Sequence, residues 1–317
     1  MISEKILVTG AAGQIGSELV PALRERYGAD NVTALYHHNV PSGAGNHVIG
    51  DAGNTEFLKK TIYDNEISLI YHLVGVLSAK GEQNPDLAYS VNMGSLKNVL
   101  DIAKEMKNDG KPIKIFWPSS IAAFGPTTPR NATPQHTILE PSTMYGVTKV
   151  AGELLVNYYF KKYGLDIRGL RYPGVISWKT PPGGGTTDYA VEIFHAALKE
   201  KRYTSFLKAD TYLPMMYMDD AIRATIDLME ADSSKIKVRT SYNITAMSFA
   251  PEDIANEIKK HIPEFRIDYK PDFRQHIADS WPKSIDDSSA REDWGWKHEF
   301  GLPELVKDML ANLRKTF

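Results

Sequence analysis

Tyr145 and Lys149 have side-chain types and a spacing that suit proton transfer. They stand four residues apart in the segment Ser142–Lys149, so on a helix their side chains share one face. A phenol with its ordinary pKa of about 10 is a poor base at neutral pH. A nearby ammonium group stabilises the phenolate and lowers that pKa. The pair is therefore predicted to remove a proton from a substrate hydroxyl group.

A second pair with the same spacing, Tyr158 and Lys162, lies in the same predicted helix, which runs to about Tyr163. At about 100° per residue it points to nearly the opposite face of the helix, so at most one of the two pairs faces the core. Ser142 or Thr143 is expected to cap the first turn. The spacing alone leaves open which pair has a function.

The composition is that of an ordinary globular protein. The 317 residues are 42% hydrophobic and 24% charged, with a net charge of −2, which favours neither nucleic acid nor an anionic membrane as a partner. No apolar run approaches a membrane span, and Met1–Lys5 shows no signal-peptide pattern, so we expect a cytoplasmic protein. Cysteine is absent and the nine histidines lack metal-ligand spacing, so no metal site is predicted.

A glycine-rich turn, Gly10–Gly16, follows the first predicted strand, Lys5–Thr9. Its glycines are spaced G-x-x-G-x-x-G, a variant of the dinucleotide fingerprint, and a helical pattern then continues to about Arg26. Such a turn lets the backbone approach a diphosphate, and the helix N-terminus offers free N–H groups to that anion. The order of strand, turn and helix therefore predicts a dinucleotide site.

The second predicted strand, Val32–Tyr36, ends without the acidic residue that usually binds the adenosine ribose. Tyr36 holds that place, and His37–Asn39 supplies no arginine for a 2′-phosphate either. We therefore expect NAD to be preferred over NADP, but less strongly than with a carboxylate. A third strand, His47–Gly50, ends at Asp51, which is placed to bond the adenine amino group.

Strands and helices continue to alternate to about residue 172. Further strands are predicted at Ser68–Leu73, Ile113–Trp117 and Asp166–Tyr172, separated by a helix from Asp86 to Lys107 and by the Tyr145 helix. This order predicts an α/β fold, a Rossmann-type doubly wound parallel sheet with right-handed crossovers. Ligands of such sheets bind at the carboxyl ends of the strands.

The alternation stops after Tyr172, where a glycine-rich loop, Pro181–Asp188, precedes a predicted helix, Tyr189–Lys199. We predict an NAD-binding Rossmann domain and a smaller C-terminal substrate-binding lobe. The first comprises residues 1–175, with 214–245 returning to it, and the second comprises 176–213 and 246–317.

These features together resemble the extended short-chain dehydrogenase/reductase family, which includes the nucleotide-sugar epimerases. The resemblance covers the glycine turn, Asp51, Asn92 and a Ser, Tyr and Lys triad. In that family the catalytic serine lies at the end of the fifth strand, a place that Ser120 holds here. The resemblance selects Tyr145 and Lys149 over the second pair, because only they begin the helix after the serine strand.

Within this group the chain is similar to the family of short-chain L-threonine 3-dehydrogenases. The similarity spans nearly the whole chain, and it is carried by Phe116–Ala122, Pro181–Ala190, Leu213–Asp220 and Ser280–Pro282. It implies oxidation of the β-hydroxyl of L-threonine to 2-amino-3-oxobutanoate by NAD, a step of threonine catabolism, without a metal ion. Two departures concern the cofactor side: Tyr36 in place of an acidic residue, and Val74–Val76 in place of a more usual alanine-rich turn.

The resemblance also implies roles for single residues. Tyr145 would be the base, Lys149 would lower its pKa and hold the nicotinamide ribose, and Ser120 would bind the substrate oxygen. The implied cofactor-binding residues are Gly10, Gly13, Gln14, Ile15, Gly16, Tyr36, His37, Asp51, Ala52, Leu73, Val74, Gly75, Asn92, Tyr145, Lys149, Tyr172 and Pro173. The implied substrate-binding residues are Ser78, Ser120, Tyr145, Thr186, Thr187, Asp188 and Trp281, the last as an apolar lid.

The same resemblance implies a homodimer in which the Asp86–Lys107 helix and the Tyr145 helix pair with their twins across a two-fold axis. Two other functions stay open. One is a nucleotide-sugar epimerase or dehydratase, for which Arg239, Arg274 and Arg291 are available to bind a sugar diphosphate. The other is a non-enzymatic redox sensor, which would have little need of the triad.

Overall fold

The computed structural model describes residues 4–316, so the sequence prediction for Met1–Ser3 lies outside the described residues. The described residues form strands and helices that alternate through the first half of the chain. The strands are β1 (Ile6–Thr9), β2 (Val32–Tyr36), β3 (His47–Ile49), β4 (Leu69–His72), β5 (Lys114–Phe116), β6 (Ser119–Ser120), β7 (Ile167–Arg168), β8 (Leu170–Tyr172), β9 (Gly174–Ile176), β10 (Arg202–Ser205), β11 (Leu213–Tyr217), β12 (Tyr242–Asn243), β13 (Met247–Phe249) and β14 (Arg266–Tyr269). The helices are α1 (Gly16–Tyr27), α2 (Thr55–Asp64), α3 (Ser78–Gln83), α4 (Pro85–Asn108), α5 (Met144–Tyr163), α6 (Tyr189–Lys199), α7 (Met218–Glu230), α8 (Pro251–Lys259), α9 (Arg274–Asp279), α10 (Ser288–Trp294) and α11 (Leu302–Leu313).

The largest sheet has six parallel strands in the order β3-β2-β1-β4-β5-β7. Every residue of β1, β2 and β4 is buried, as expected when helices cover both faces of a parallel sheet. The predicted Rossmann-type doubly wound sheet is confirmed. The strand order reverses between β1 and β4, and a ligand crevice forms at such a point beyond the carboxyl ends of the strands.

The single strand predicted over Asp166–Tyr172 is wrong, because the chain leaves the main sheet at Gly169. β7 pairs with β5, whereas β8 pairs with β6 and β12 in a separate three-stranded sheet. A side chain at residue 169 would place its Cβ 2.6 Å from the carbonyl oxygen of Trp117, so only glycine fits this crossing. In the smaller sheet Ser120 stands opposite Tyr172, which brings both residues to one edge.

Buried apolar side chains form separate cores. One core joins Ile6 and Val8 of β1 to Met216, Met218 and Ile244. Another core packs α6, α8 and α11 together with Trp281. The domain limits themselves stay a prediction. Among residues 4–316, no helix combines the length and apolar character needed to cross a bilayer.

Candidate active site

Helix α5 turns Tyr145 and Lys149 toward the sheet. Val156 and Tyr159 of the same helix are buried in a core that also contains Trp117, the residue directly after β5. Lys149 precedes Val156 by seven residues and therefore lies on the same face. Lys149 is 7% exposed, so the apolar anchors of α5 hold a lysine side chain inside the protein.

The start of α5 is fixed by two side chains. The Thr143 hydroxyl accepts a hydrogen bond from the backbone N–H of Gly146 at 3.1 Å, which confirms the predicted capping of the first turn. Glu82 of α3 accepts one from the N–H of Met144 at 2.7 Å. Helix α3, whose first residue is Ser78, is thereby tied to the beginning of α5.

A cleft of about 1110 Å³ opens at the carboxyl ends of the strands. Most of the residues that the sequence predicted for the cofactor and the substrate line it. They are Gly10, Gly13, Gln14, Ile15, Gly16, Leu73, Val74, Gly75, Ser78, Ser120, Tyr145, Lys149, Tyr172, Pro173, Thr186, Thr187, Asp188 and Trp281. Tyr158 lies elsewhere, on the outer face of α5 with 52% of it exposed, so the geometry favours the Tyr145 pair.

The predicted adenosine-side residues do not line this cleft. Tyr36 is 4% exposed and packs into the core, with its ring edge-on to His47 at 5.9 Å between centroids. His37 is exposed. The carboxylate of Asp51 accepts a hydrogen bond from the N–H of Gly53 at 2.7 Å, and its neighbour Ala52 is buried.

Asn92 does not line the cleft but forms hydrogen bonds to two elements that do. Its amide oxygen accepts a hydrogen bond from the N–H of Val76 at 2.7 Å, and its amide nitrogen donates to the Val76 carbonyl at 3.2 Å. The same nitrogen donates to the Thr148 hydroxyl at 3.1 Å. Asn92 therefore joins the turn after β4 to α5, and it shapes the cleft through those two elements.

The glycine turn fits a dinucleotide diphosphate. A Cβ at Gly16 would lie 2.4 Å from the carbonyl oxygen of Gly10, so the turn closes this tightly only with glycine there. No side chain caps the first turn of α1. The N–H groups of Ser17 and Glu18 donate to the carbonyl oxygens of Gly13 and Ile15, at 2.9 and 3.2 Å. The partial positive charge of the helix end favours an anion at this turn.

The side chain of Lys149 lies between two aromatic rings. Its Nζ is 5.3 Å from the centroid of the Tyr145 ring and 4.7 Å from that of Trp117, and it donates a hydrogen bond to the carbonyl oxygen of Pro118 at 2.5 Å. Burial lowers the pKa of Lys149 to about 7, and the charge of Glu153 acts in the opposite direction.

Burial raises the pKa of Tyr145 to about 12, and a hydrogen bond with the Ser120 side chain opposes this rise. The sequence predicted a lowered pKa for Tyr145, and the structure shows the reverse. The physical reason is that burial disfavours both the phenolate and the ammonium ion. At neutral pH the Tyr145 phenol is thus protonated, and burial favours the neutral form of the Lys149 amine.

Two buried hydroxyl groups face each other across the substrate side of the cleft. Ser78 Oγ and Thr186 Oγ1 are 3.5 Å apart. One oxygen of Asp188 accepts hydrogen bonds from the N–H groups of Gly184 and Gly185, at 2.7 and 2.8 Å, so this carboxylate holds the glycine loop in place.

Trp281 forms a wall of the cleft. It is almost fully buried and packs into the core of the C-terminal lobe, so a lid movement of this side chain stays a prediction. The phenol of Tyr172 also points away from the cleft, because its hydroxyl is hydrogen bonded to Thr225 of α7.

Sequence reasoning missed part of the lining and its support. The additional lining residues are Leu77, Pro118, Ser119, Ile121, Gly174, Val175 and Gly185. Behind them lie Glu153 and Arg171, a buried ion pair. A carboxylate four residues after Lys149, on a helix face predicted to be buried, was the available signal, since a buried charge needs a partner.

The arginines considered for a sugar diphosphate are engaged elsewhere. Arg239, Arg274 and Arg291 pair with Asp166, Asp272 and Asp287, and none of the three lines the cleft. In the part of the chain from residue 4 to 316, no group of three or more His, Cys, Asp or Glu side chains is arranged to hold a metal ion.

Known proteins resemble this chain over nearly its full length. Residues 6–245 match the model of the NAD dependent epimerase/dehydratase family. Mitochondrial L-threonine 3-dehydrogenase of Bos taurus is 50% identical over 311 residues, which are 97% of this chain and 82% of the relative. The holo form of an L-threonine dehydrogenase from Cupriavidus necator is 54% identical, with a TM-score of 0.94 over 98% of this chain and 99% of that one. A monomeric L-threonine 3-dehydrogenase from a metagenome is 47% identical, with the same TM-score and coverage.

Proposed function

The chain belongs to the NAD-dependent epimerase/dehydratase family and is an NAD-dependent oxidoreductase, and we propose that it oxidises L-threonine at its β-hydroxyl to 2-amino-3-oxobutanoate. The observation that carries this proposal is the meeting of Ser120, Tyr145 and Lys149 with the glycine turn in one cleft. The relatives named L-threonine dehydrogenase support the choice of substrate.

Tyr145 and Lys149 act in this proposal as one proton acceptor. Because the pKa of Lys149 is about 7 and that of Tyr145 about 12, the first proton to leave the pair comes from Lys149. The neutral amine then accepts the phenol proton as the phenolate takes the proton of the substrate hydroxyl. Ser120 binds the same substrate oxygen. NAD, when bound, supplies the acceptor for the hydride that leaves the β-carbon.

The remaining cleft residues suit a small zwitterion. The hydroxyl groups of Ser78 and Thr186 can donate hydrogen bonds to a carboxylate. One carboxylate oxygen of Asp188 accepts the hydrogen bonds from the loop N–H groups. The negative charge of this carboxylate favours the binding of an ammonium group nearby. Trp281 provides an apolar wall for the methyl group. Exclusion of water from such a site strengthens each of these polar contacts.

The experiment is to follow NADH absorbance with L-threonine, D-threonine, L-serine and UDP-hexoses. We expect turnover of L-threonine and much less of the other two amino acids. L-Serine lacks the methyl contact, worth about 1–3 kcal/mol, and D-threonine inverts both stereocentres. The proposal fails if L-threonine yields no NADH at saturating NAD while a UDP-hexose is turned over.

Thr186→Ala tests the substrate side separately. Thr186 is buried against Ser78, so we expect a lower kcat/KM for L-threonine with the thermal midpoint retained. The matched control is Thr211→Ala, since Thr211 is also a buried threonine but bonds to Gln275 away from the cleft. The control should leave KM unchanged; equal effects of both substitutions on KM would argue against a role of Thr186.

We also propose the homodimer. The outer faces of α4 and α5 carry large apolar side chains that are 42–62% exposed, namely Leu87, Tyr89, Val147, Leu154 and Tyr158. Large apolar side chains exposed on two helices that pack against each other are a feature of interaction sites, and an isologous contact would bury them in both copies. One similar protein is named as a monomer, so sedimentation velocity of this protein is the test that distinguishes dimer from monomer.

A place in threonine catabolism follows from the proposed reaction, which converts the 3-hydroxyl group of the amino acid to a ketone. The cytoplasmic location stays a prediction, and the bovine relative is named as mitochondrial. Fractionation of cells that express the tagged protein tests the location.

A further inference from the structure

Glu153 is an acidic side chain in the protein interior, with 1% of it exposed. Its two carboxylate oxygens accept hydrogen bonds from Nε and an Nη atom of Arg171 at 2.8 and 2.7 Å. The Ser119 hydroxyl donates to the first of these oxygens at 2.6 Å. Arginine stays protonated in proteins, so the buried partner of Arg171 is a carboxylate ion.

These hydrogen bonds join the helix of the proposed base to two strands of the cleft. Ser119 lies in β6 directly before Ser120, and Arg171 lies in β8 directly before Tyr172. The same residues are opposite each other in the sheet register. Glu153 therefore anchors α5 at the place where both strands reach the cleft, and it sets the position of Ser120 relative to the helix.

Glu153 also follows Lys149 by one helical turn, so their side chains are neighbours on one face. Charged or titratable groups from three elements lie near Lys149. They are Tyr145 and Glu153 of α5, Arg171 of β8, which pairs with Glu153, and the buried His72 of β4, whereas the Tyr172 hydroxyl of β8 is bonded to Thr225. Among these side chains Glu153 alone carries a negative charge at neutral pH, since burial keeps the Tyr145 phenol protonated.

We propose that Glu153 is a positioning residue for the proposed reaction, whose carboxylate fixes α5 against β6 and β8 and favours the ammonium form of Lys149. The inference rests on the proposed role of the Tyr145–Lys149 pair. In the pairwise proton transfer, the ammonium ion forms whenever the phenolate forms. A carboxylate one turn away lowers the free energy of that state relative to the uncharged pair.

The direct test measures the titration of Lys149 without any substrate. The rate of acetylation of Lys149 by acetic anhydride is followed by peptide mass spectrometry over a range of pH. We expect the wild-type amine to titrate near pH 7. In Glu153→Gln it should titrate about one pH unit lower, a tenfold change in its protonation equilibrium. The rise of kcat/KM with pH should move in the same direction, whereas Lys149→Met moves it to higher pH.

A second variant keeps the test decisive, because Glu153→Gln leaves the Arg171 cation buried without its counterion, a change that unfolds many proteins. In Glu153→Met/Arg171→Met the pair is replaced by apolar side chains of similar volume, which retains packing. Loss of the Arg171 cation acts in the opposite direction, but the charge of Glu153 is the one that raises the pKa of Lys149. The proposal therefore predicts a shift of the Lys149 titration to lower pH in this variant that is smaller than the shift in Glu153→Gln. A purely structural pair predicts a wild-type titration in this folded double variant, and that result overturns the proposal.

Asp166→Asn is the matched control. Asp166 pairs with the buried Arg168 at 2.8 Å and with Arg239 at 2.7 Å. It lies directly before β7 and does not line the cleft. We expect the substitution to lower the thermal midpoint and to leave the Lys149 titration unchanged. A shift in the control equal to that in Glu153→Gln would show a general effect of lost ion pairs and would also overturn the proposal. If wild-type protein oxidises no L-threonine, the proposed function fails, and the Lys149 titration still decides the role of Glu153.

Discussion

The Nζ atom of Lys149 lies 5.3 Å from the centroid of the Tyr145 ring, over the face of the phenol. Lys149 is buried and Tyr145 is half-buried in the same cleft wall. Burial favours the neutral form of each, with a pKa of about 12 for Tyr145 and a pKa of about 7 for Lys149. In the proposed mechanism the two groups exchange protons as a unit. Substitution of either residue is therefore expected to change the protonation of both.

Tyr145→Phe removes the group that takes the substrate proton. We expect kcat with L-threonine to fall at least about 10²-fold, the usual effect of losing a general base. Tyr158→Phe is the control, since Tyr158 has the same spacing to a lysine but lies on the outer face of α5. Circular dichroism confirms folding of both variants. Loss of activity in Tyr158→Phe with activity retained in Tyr145→Phe would show that the wrong pair has been chosen.

Lys149→Met removes the group that loses the first proton. In the wild type, kcat/KM should rise as pH passes about 7, the pKa of Lys149. In the variant the rise should move toward the pKa of about 12 of Tyr145, with a loss of at least about 10²-fold at neutral pH. The measurement is the pH profile of kcat/KM for L-threonine. An unchanged rise near pH 7 in the variant would contradict the pairwise titration.

The cofactor preference depends on the end of β2. Tyr36 is buried there and offers no carboxylate to the ribose, while His37 is exposed beside it. We expect NADH to bind more tightly than NADPH at about pH 8, because no arginine at the end of β2 is available to a 2′-phosphate. Fluorescence titration of both cofactors at this pH gives the dissociation constants. Tighter binding of NADPH would contradict the prediction.

The homodimer is tested at Leu154, whose side chain is 62% exposed on α5. Leu154→Glu should convert the protein to monomer in sedimentation velocity, because two like charges would meet across a two-fold contact. The control Ile138→Glu changes another exposed apolar residue outside α4 and α5 and should leave the sedimentation coefficient unchanged. A wild-type protein that is monomeric at micromolar concentration would count against the interface.

His72 makes the folded state sensitive to acid. Its Nδ1 is hydrogen bonded to the Thr9 hydroxyl at 2.8 Å and its Nε2 to Ser95 Oγ at 3.1 Å. Because the Ser95 hydroxyl donates to the Val91 carbonyl at 2.7 Å, the proton of the neutral imidazole lies on Nε2. Burial, and to a lesser extent the charge of Lys149, lowers the pKa of His72 to about 3.

The unfolded chain binds a proton at this histidine below about pH 6.5, whereas the folded chain does so only below about pH 3. The contribution of the neutral His72 side chain to the free energy of unfolding is therefore fully present above about pH 6.5. It decreases by up to about 1.4 kcal/mol per pH unit as the pH falls between the two. Urea unfolding at several pH values measures the slope. His72→Leu should remove it, while substitution of the exposed His261 should not; equal slopes in wild type and His72→Leu would refute this account.

The sequence by itself determined the features that depend on neighbours along the chain. The glycine spacing after β1, the apolar strands and the capping of α5 by Ser142 or Thr143 follow from local backbone geometry and periodicity. The alternation of strands and helices then allows few sheets other than the observed six-stranded one. The position of Tyr145 and Lys149 on one helix face is local in the same sense, because it follows from their four-residue spacing.

Only the tertiary structure decided the features that depend on contacts between distant segments. In the folded protein Tyr36 is buried in the core, and Asp188 accepts hydrogen bonds from the glycine loop. The chain also leaves the main sheet at Gly169, so that two strands form in place of the one predicted. The tertiary structure also paired Glu153 with Arg171 and reversed the expected direction of the Tyr145 pKa. Burial and hydrogen bonding set these properties, and both depend on side chains that sequence spacing does not bring together.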